Sequence, residues 1–170
     1  MKVLFFSGFS YLLYLEGMHY RLELSYESMA VGDLSPEERD LLKKAQEAAE
    51  YAYAPYSGFP VGAAARLSDG RLLSGNNQEN SAYPSGLCAE RTLLFYLGSQ
   101  RLIPLVQMIA VYAPLSEDPV MPCGACRQVM YEYERLGSIR WTLIFAGASG
   151  RVYRFMGMET LLPFAFVWRR

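Results

Sequence analysis

Histidine is almost absent from this chain, and that scarcity excludes more than any abundance does. The one histidine, His19, lies far upstream of the other candidate ligands, so a metal centre built from imidazoles is ruled out. Cysteine is also scarce, with three residues, and an odd number makes a poor disulfide framework. Reduced sulfur fits the cytoplasm, which is the expected location. No run of Lys or Arg forms a footprint for DNA or RNA, and the formal net charge is -1. The longest apolar stretch, Val3 to Leu15, falls short of the roughly 20 residues needed for a membrane span. It also lacks the cleavage site of a signal peptide. What remains is a globular composition, 52% hydrophobic and 19% charged, with a small molecule as the expected partner.

All three cysteines fall into one pattern, Cys88-Ala89-Glu90 followed by Pro122-Cys123-Gly124-Ala125-Cys126. Closed structural zinc sites use four protein ligands, and three thiolates leave one position open for water. Glu90 stands two residues from a ligand, where it can move that water's proton. Three thiolates around Zn²⁺ carry one net negative charge, which makes the bound water harder to ionise than in a three-histidine site. Arg91 is placed to offset that charge by donating to the ligand sulfurs. The bland alternatives are a surface arginine, a buried apolar cysteine trio, or a zinc clip closed by a carboxylate. A lone CxxC would leave them strong. The upstream Cys-x-Glu, the preceding Pro122 and the internal Gly124 weigh against them.

The elements around these motifs follow from pattern. Ser35-Pro36-Glu37-Glu38 is a helix start with a capping box, and Leu41, Leu42, Ala45, Ala48, Ala49 and Ala52 recur at helical spacing. Asp40 and Lys44 make an i,i+4 pair on its wet side. Val61 to Leu67 and Arg71 to Ser74 read as strands joined through Asp69-Gly70. Helices are expected over 88–97 and 123–136, both opening at cysteines. Strands are expected over 106–112, 139–145 and 151–155, and a short helix over 159–162. Helix N-termini lower a thiol's pKa, so two facing helix ends suit a thiolate site. Helices alternating with strands imply an α/β fold, a three-layer αβα sandwich with a mixed central β-sheet.

Residues 1–33 differ in composition and are expected to be an N-terminal extension to a domain at 34–170. Met18 and, more naturally, Met29 are alternative starts; the other readings are an extra strand, an oligomer contact or a targeting segment. Within it, Tyr20 to Glu27 alternates like a half-buried strand.

A three-cysteine zinc site with a glutamate that is not a ligand is the arrangement of zinc deaminases acting on cytosine or adenine. Across roughly 34–166 the chain resembles the small cytidine deaminases that assemble as homotetramers. Four blocks carry the resemblance: 53–64 (Tyr-Ala-Pro-Tyr-Ser-Gly-Phe-Pro-Val-Gly-Ala-Ala), 77–83 (Asn-Gln-Glu-Asn-Ser-Ala-Tyr), 88–92 (Cys-Ala-Glu-Arg-Thr) and 122–128 (Pro-Cys-Gly-Ala-Cys-Arg-Gln). The ending Leu161-Leu162-Pro163-Phe164-Ala165-Phe166 is similar to the family's, with Phe164 where the family has Gly.

The resemblance implies hydrolysis of cytidine and 2'-deoxycytidine to the uridines, with release of ammonia. It implies zinc on Cys88, Cys123 and Cys126, Glu90 as proton shuttle, and ribose hydroxyls held by Asn77 and Glu79. Phe59 is implied to lie against the pyrimidine, and Phe166 to reach a neighbouring subunit's base pocket. A fixed anion at Glu79 favours a nucleoside over a nucleotide. Three rival readings are a deaminase of a cytosine-containing nucleoside antibiotic, a nucleic-acid editing deaminase and a non-catalytic zinc-stabilised interaction domain. The editing enzymes usually have His at the position of Cys88 and need basic and stacking contacts for a strand, which the sequence does not display.

Overall fold

The computed structural model describes residues 10–15, 18–137 and 139–168. Residues 3–9 and Glu16, part of the apolar run and its end, lie outside them. Strands β1 (Ser10–Leu15) and β2 (Met18–Glu23) form a two-stranded antiparallel sheet of their own. The expected strand at 20–27 is therefore divided. Tyr20 to Glu23 pairs with β1, residues 24–26 are irregular, and β3 (Glu27–Ala30) begins a new pairing. Its partner is β8 (Arg151–Met156), so the main sheet begins within the stretch 1–33.

That sheet has six strands in the order β3-β8-β7-β6-β4-β5, with β4 Gly62–Leu67, β5 Leu72–Asn76, β6 Val106–Tyr112 and β7 Thr142–Ala146. Only β6 and β7 run parallel; the other neighbours are antiparallel, so the sheet is mixed. Alternate residues face opposite layers. Ala63, Ala65, Ile109, Val111, Leu143 and Phe145 pack with α2 (Ala89–Ser99) and α3 (Gly124–Glu134). Ala64, Ala110, Ile144 and Ala146 pack with α1 (Pro36–Ala49) on the other face. The three-layer αβα sandwich is the fold.

The capping box at α1 is present, with Ser35 Oγ accepting from Glu38 N–H and Glu38 Oε2 accepting from Ser35 N–H. Lys44 pairs with Glu47 at 3.6 Å, not with Asp40 as the spacing suggests. Buried Glu38 also accepts from Arg154 Nη1 at 3.0 Å, tying α1 to β8. Burial pushes this carboxyl up, but the Ser35 backbone donor and Arg154 together outweigh it and hold it below the ordinary 4.5. A depressed folded pKa contributes stability that is present above the unfolded value and lost as pH falls through the folded one. Glu38→Gln is therefore expected to lower the melting temperature at pH 7 and to flatten its decline below about pH 4.5, as read by thermal melts across pH.

The small residues of β4 let α1 come close. A Cβ at Gly62 would lie 1.9 Å from the Ala45 carbonyl oxygen and 2.6 Å from the Ala49 backbone nitrogen. Both neighbours are helix backbone and cannot swing aside. Gly62→Ala is expected to cost about 3 kcal/mol or more, the upper end for overpacking, measured by denaturant unfolding.

Candidate active site

Cys88 and Cys123 are the N-cap residues of α2 and α3. Both have extended backbone, and neither uses its side chain to cap the helix. The thiols are therefore spare, and they converge. Cys88 Sγ lies 4.0 Å from Cys123 Sγ, and Cys123 Sγ lies 3.4 Å from Cys126 Sγ. All three sulfurs fall within 4.8 Å of one another. Sulfurs about 2.3 Å from one zinc ion at tetrahedral angles would be about 3.8 Å apart, so the donor set fits zinc. Among the described residues no other group of three His, Cys, Asp or Glu ligand atoms comes so close. The Glu90 carboxylate stands outside that mutual grouping, and His19 belongs to β2 in the separate sheet.

The electrostatics of the cluster are uneven. The Cys126 thiol donates to Cys88, and against the cost of burial this, with help from Arg91, brings Cys88 down to about 5. Cys126, hydrogen-bonded to Cys88 and buried, is pushed up. Arg91 Nη2 reaches Cys88 Sγ at 3.8 Å, and its Nε is buried with no protein partner. One thiolate stabilised by a guanidinium is a partly prepared metal site. Glu90, one helical position past Ala89, is 5% exposed, and burial pushes its carboxyl up. A buried carboxyl beside a thiolate cluster is placed to take and return a proton.

Cys88 and Arg91 open onto a cleft of about 330 Å³ that is also lined by Asn77, Glu79, Tyr83 and Leu87, among others. A larger hollow of about 600 Å³ lies among Gln46, Glu50, Gly58, Pro60 and Tyr112, but it contains no cysteine, and the chemistry is in the smaller one. Asn77 Oδ1 accepts from Val61 N–H at 2.8 Å, and its Nδ2 donates to the Phe59 carbonyl at 3.0 Å. Glu79 Oε2 accepts from the backbone N–H groups of Tyr56 and Ser57. Ser57 and these backbone donors hold the Glu79 carboxyl below its ordinary range.

The sequence-derived residues therefore divide. Cys88, Cys123, Cys126, Glu90, Arg91, Asn77 and Glu79 come together at one end of the α2–α3 layer. Phe59 is half-buried on the loop that Asn77 holds and does not line the cleft. Phe166 is 68% exposed, its carbonyl accepting from Gln128 Nε2 at 2.9 Å. Two contributors escaped the sequence reading. Tyr83 lines the cleft, and Arg127 Nε donates to the Pro122 carbonyl at 2.8 Å, bracing the turn before Cys123. Both sit inside the motif blocks, which was the available signal.

The family model for the cytidine and deoxycytidylate deaminase zinc-binding region matches residues 35–139. The cytidine deaminase of Halalkalibacterium halodurans is 51% identical over 92 residues, 54% of this chain and 68% of that protein. That of Sporosarcina psychrophila is 48% identical over 93 residues, 55% of this chain and 67% of that one. Among solved structures, the cytidine deaminase from Burkholderia pseudomallei aligns with a TM-score of 0.67 at 41% identity, covering 75% of this chain and 97% of that one. The cytidine deaminase from Mycobacterium tuberculosis aligns with a TM-score of 0.63 at 34% identity, covering 79% and 100%.

Proposed function

Because the chain belongs to the cytidine and deoxycytidylate deaminase family, we propose that it hydrolyses cytidine and 2'-deoxycytidine to uridine and 2'-deoxyuridine, releasing ammonia. The observation that carries this reading is a three-sulfur cluster drawn from the N-termini of α2 and α3, paired with a buried carboxyl in the first turn of α2. Cys88, Cys123 and Cys126 would hold Zn²⁺. When bound there, the ion supplies a water acidic enough to be deprotonated near neutral pH.

Glu90 takes the proton of that water and delivers it to N3 of the base. Protonation weakens the aromatic ring, and water oxygen adds at C4. Glu90, emptied by that transfer, takes the remaining proton from the new C4 hydroxyl and passes it to the 4-amino group; the C4–N bond breaks as the C4 carbonyl forms, and ammonia leaves. Arg91 offsets the negative charge of the thiolates through Cys88. Asn77 and Glu79 are assigned to the ribose hydroxyls, Phe59 to the face of the pyrimidine, and Phe166 to a neighbouring subunit's pocket.

The catalytic domain is assigned to 34–170, with β3 of the 1–33 extension added to its sheet edge. We assign the protein to the cytoplasm, where the free thiols of Cys88, Cys123 and Cys126 would stay reduced. A homotetramer is the proposed assembly. Exposed aromatics such as Tyr51, Tyr83, Phe164 and Trp168 support it by offering apolar surface for an interface.

The ionised Glu79 at the cleft is a poor neighbour for a phosphate, so the substrate is a nucleoside. Comparing kcat/KM for cytidine, 2'-deoxycytidine and deoxycytidylate tests this. Turnover of both nucleosides with little on the nucleotide is the expected ranking. A preference for deoxycytidylate would overturn it.

A further inference from the structure

Residues 54–61 form neither helix nor strand, yet their backbone is thoroughly satisfied. Between Tyr56 and Val61 every backbone N–H has a partner. Gly58 donates to the Ala54 carbonyl at 3.0 Å and Phe59 to Ser57 Oγ at 3.0 Å. Pro60 has no N–H to place. The remaining donors, on Tyr56, Ser57 and Val61, all end on the side chains of Glu79 and Asn77. Main-chain bonds from Asn77 N–H to the Val61 carbonyl (3.1 Å) and from Tyr53 N–H to the Asn77 carbonyl (3.0 Å) complete the seam.

Asn77 grips this loop on both sides of Pro60. Its oxygen accepts from Val61 N–H and its nitrogen donates to the Phe59 carbonyl, so one amide replaces a strand partner where proline forbids one. An amide has four hydrogen-bonding sites, so one lone pair and one hydrogen remain for the sugar. Glu79 likewise serves both loop and cleft: its Oε2 accepts from Tyr56 and Ser57 N–H, and the residue lines the cleft.

We infer that Asn77 is a positioning residue for Phe59: its side-chain amide fixes the backbone of Phe59 across Pro60, and so the placement of the ring that the proposed function assigns to the pyrimidine, besides serving the sugar. The inference rests on the nucleoside deaminase reading for the role of Phe59. It makes sugar recognition and base stacking two outputs of one side chain. Loss of Asn77 must therefore damage turnover even when the substrate has no 2'- or 3'-hydroxyl to bind.

Two measurements on the zinc-loaded full chain test it. Hydrogen exchange of a peptide covering 54–62 should quicken by about tenfold in Asn77→Ala, the scale of one lost hydrogen bond, with exchange in the core strands unchanged. The kcat/KM for 2',3'-dideoxycytidine should fall about five- to tenfold in the same variant, and Phe59→Leu should add little to that loss. Asn77→Asp, which keeps an acceptor for Val61 and for a hydroxyl but sets an anion against the Phe59 carbonyl, should be impaired on both substrates. Unchanged exchange at 54–62 would overturn the clamp and leave the deaminase reading standing. A loss on cytidine that vanishes on the dideoxy substrate would overturn the positioning role. A parent enzyme inactive on cytidine with zinc bound would bring down the deaminase reading and the inference with it.

Discussion

Glu90→Gln is expected to hold one zinc per chain and to bind cytidine, yet to lose turnover by about 10² to 10⁴, the usual worth of general acid–base transfer. The amide matches the carboxylate in shape but cannot accept the proton of water at neutral pH. Metal retention follows from geometry, because the Glu90 carboxylate stands outside the thiolate grouping. Stability should not suffer. Glu90 is 5% exposed, and burying an ionised carboxyl is costly, so replacing it with a neutral group should leave the melting temperature equal or higher. Steady-state rates, zinc stoichiometry and thermal melts on one preparation check all three expectations. Near-normal turnover in the variant would remove Glu90 from the mechanism.

Cys126→Ser should remove both the metal and the activity. Cys126 is buried, its sulfur 3.4 Å from that of Cys123, and it is the ligand least able to be replaced by solvent. A serine hydroxyl does not ionise near neutral pH and is not a substitute for thiolate at zinc. With two sulfurs left, zinc per chain should fall toward zero and uridine formation below that of Glu90→Gln. The fold should weaken as well, since a metal bound only by the native state adds its binding free energy to stability. A chelator should therefore lower the melting temperature of the parent and leave that of Cys126→Ser where it is. Stoichiometric zinc in the variant would show that the cluster is not the metal site.

Local chemistry carried much of this fold into view. Ser35 and Glu38 announce α1 because a capping box is contained in four residues. Asp69-Gly70 announces the β4–β5 turn because Gly70, at φ 87°, occupies the left-handed region. The cysteines were legible as a site because each group opens a helix, and their spacing alone places the thiols at two N-termini.

What was hidden depends on partners distant in sequence. The strand expected from residue 139 begins at Thr142, and the short helix expected at 159–162 is a 3₁₀ turn at Met158–Thr160. Buried Glu134 explains both boundaries: its carboxylate accepts from Trp141 N–H at 2.8 Å and Met158 N–H at 2.9 Å. No periodicity reveals a side chain that caps two strand ends. The alternation at 20–27 likewise does not mark where pairing passes from β1 to β8. The grip of Asn77 on Phe59 and Val61 spans a comparable gap in the chain, and the motif block at 77–83 implies a sugar role for Asn77 without revealing that grip.

The most direct test of the account is the reaction of zinc-loaded protein with cytidine in water enriched in the heavy oxygen isotope, followed by mass spectrometry of the product. Uridine carrying the heavy oxygen at C4, with ammonia in equal amount, is the expected product. Cytidine recovered unchanged, from protein holding one zinc per chain, would contradict it.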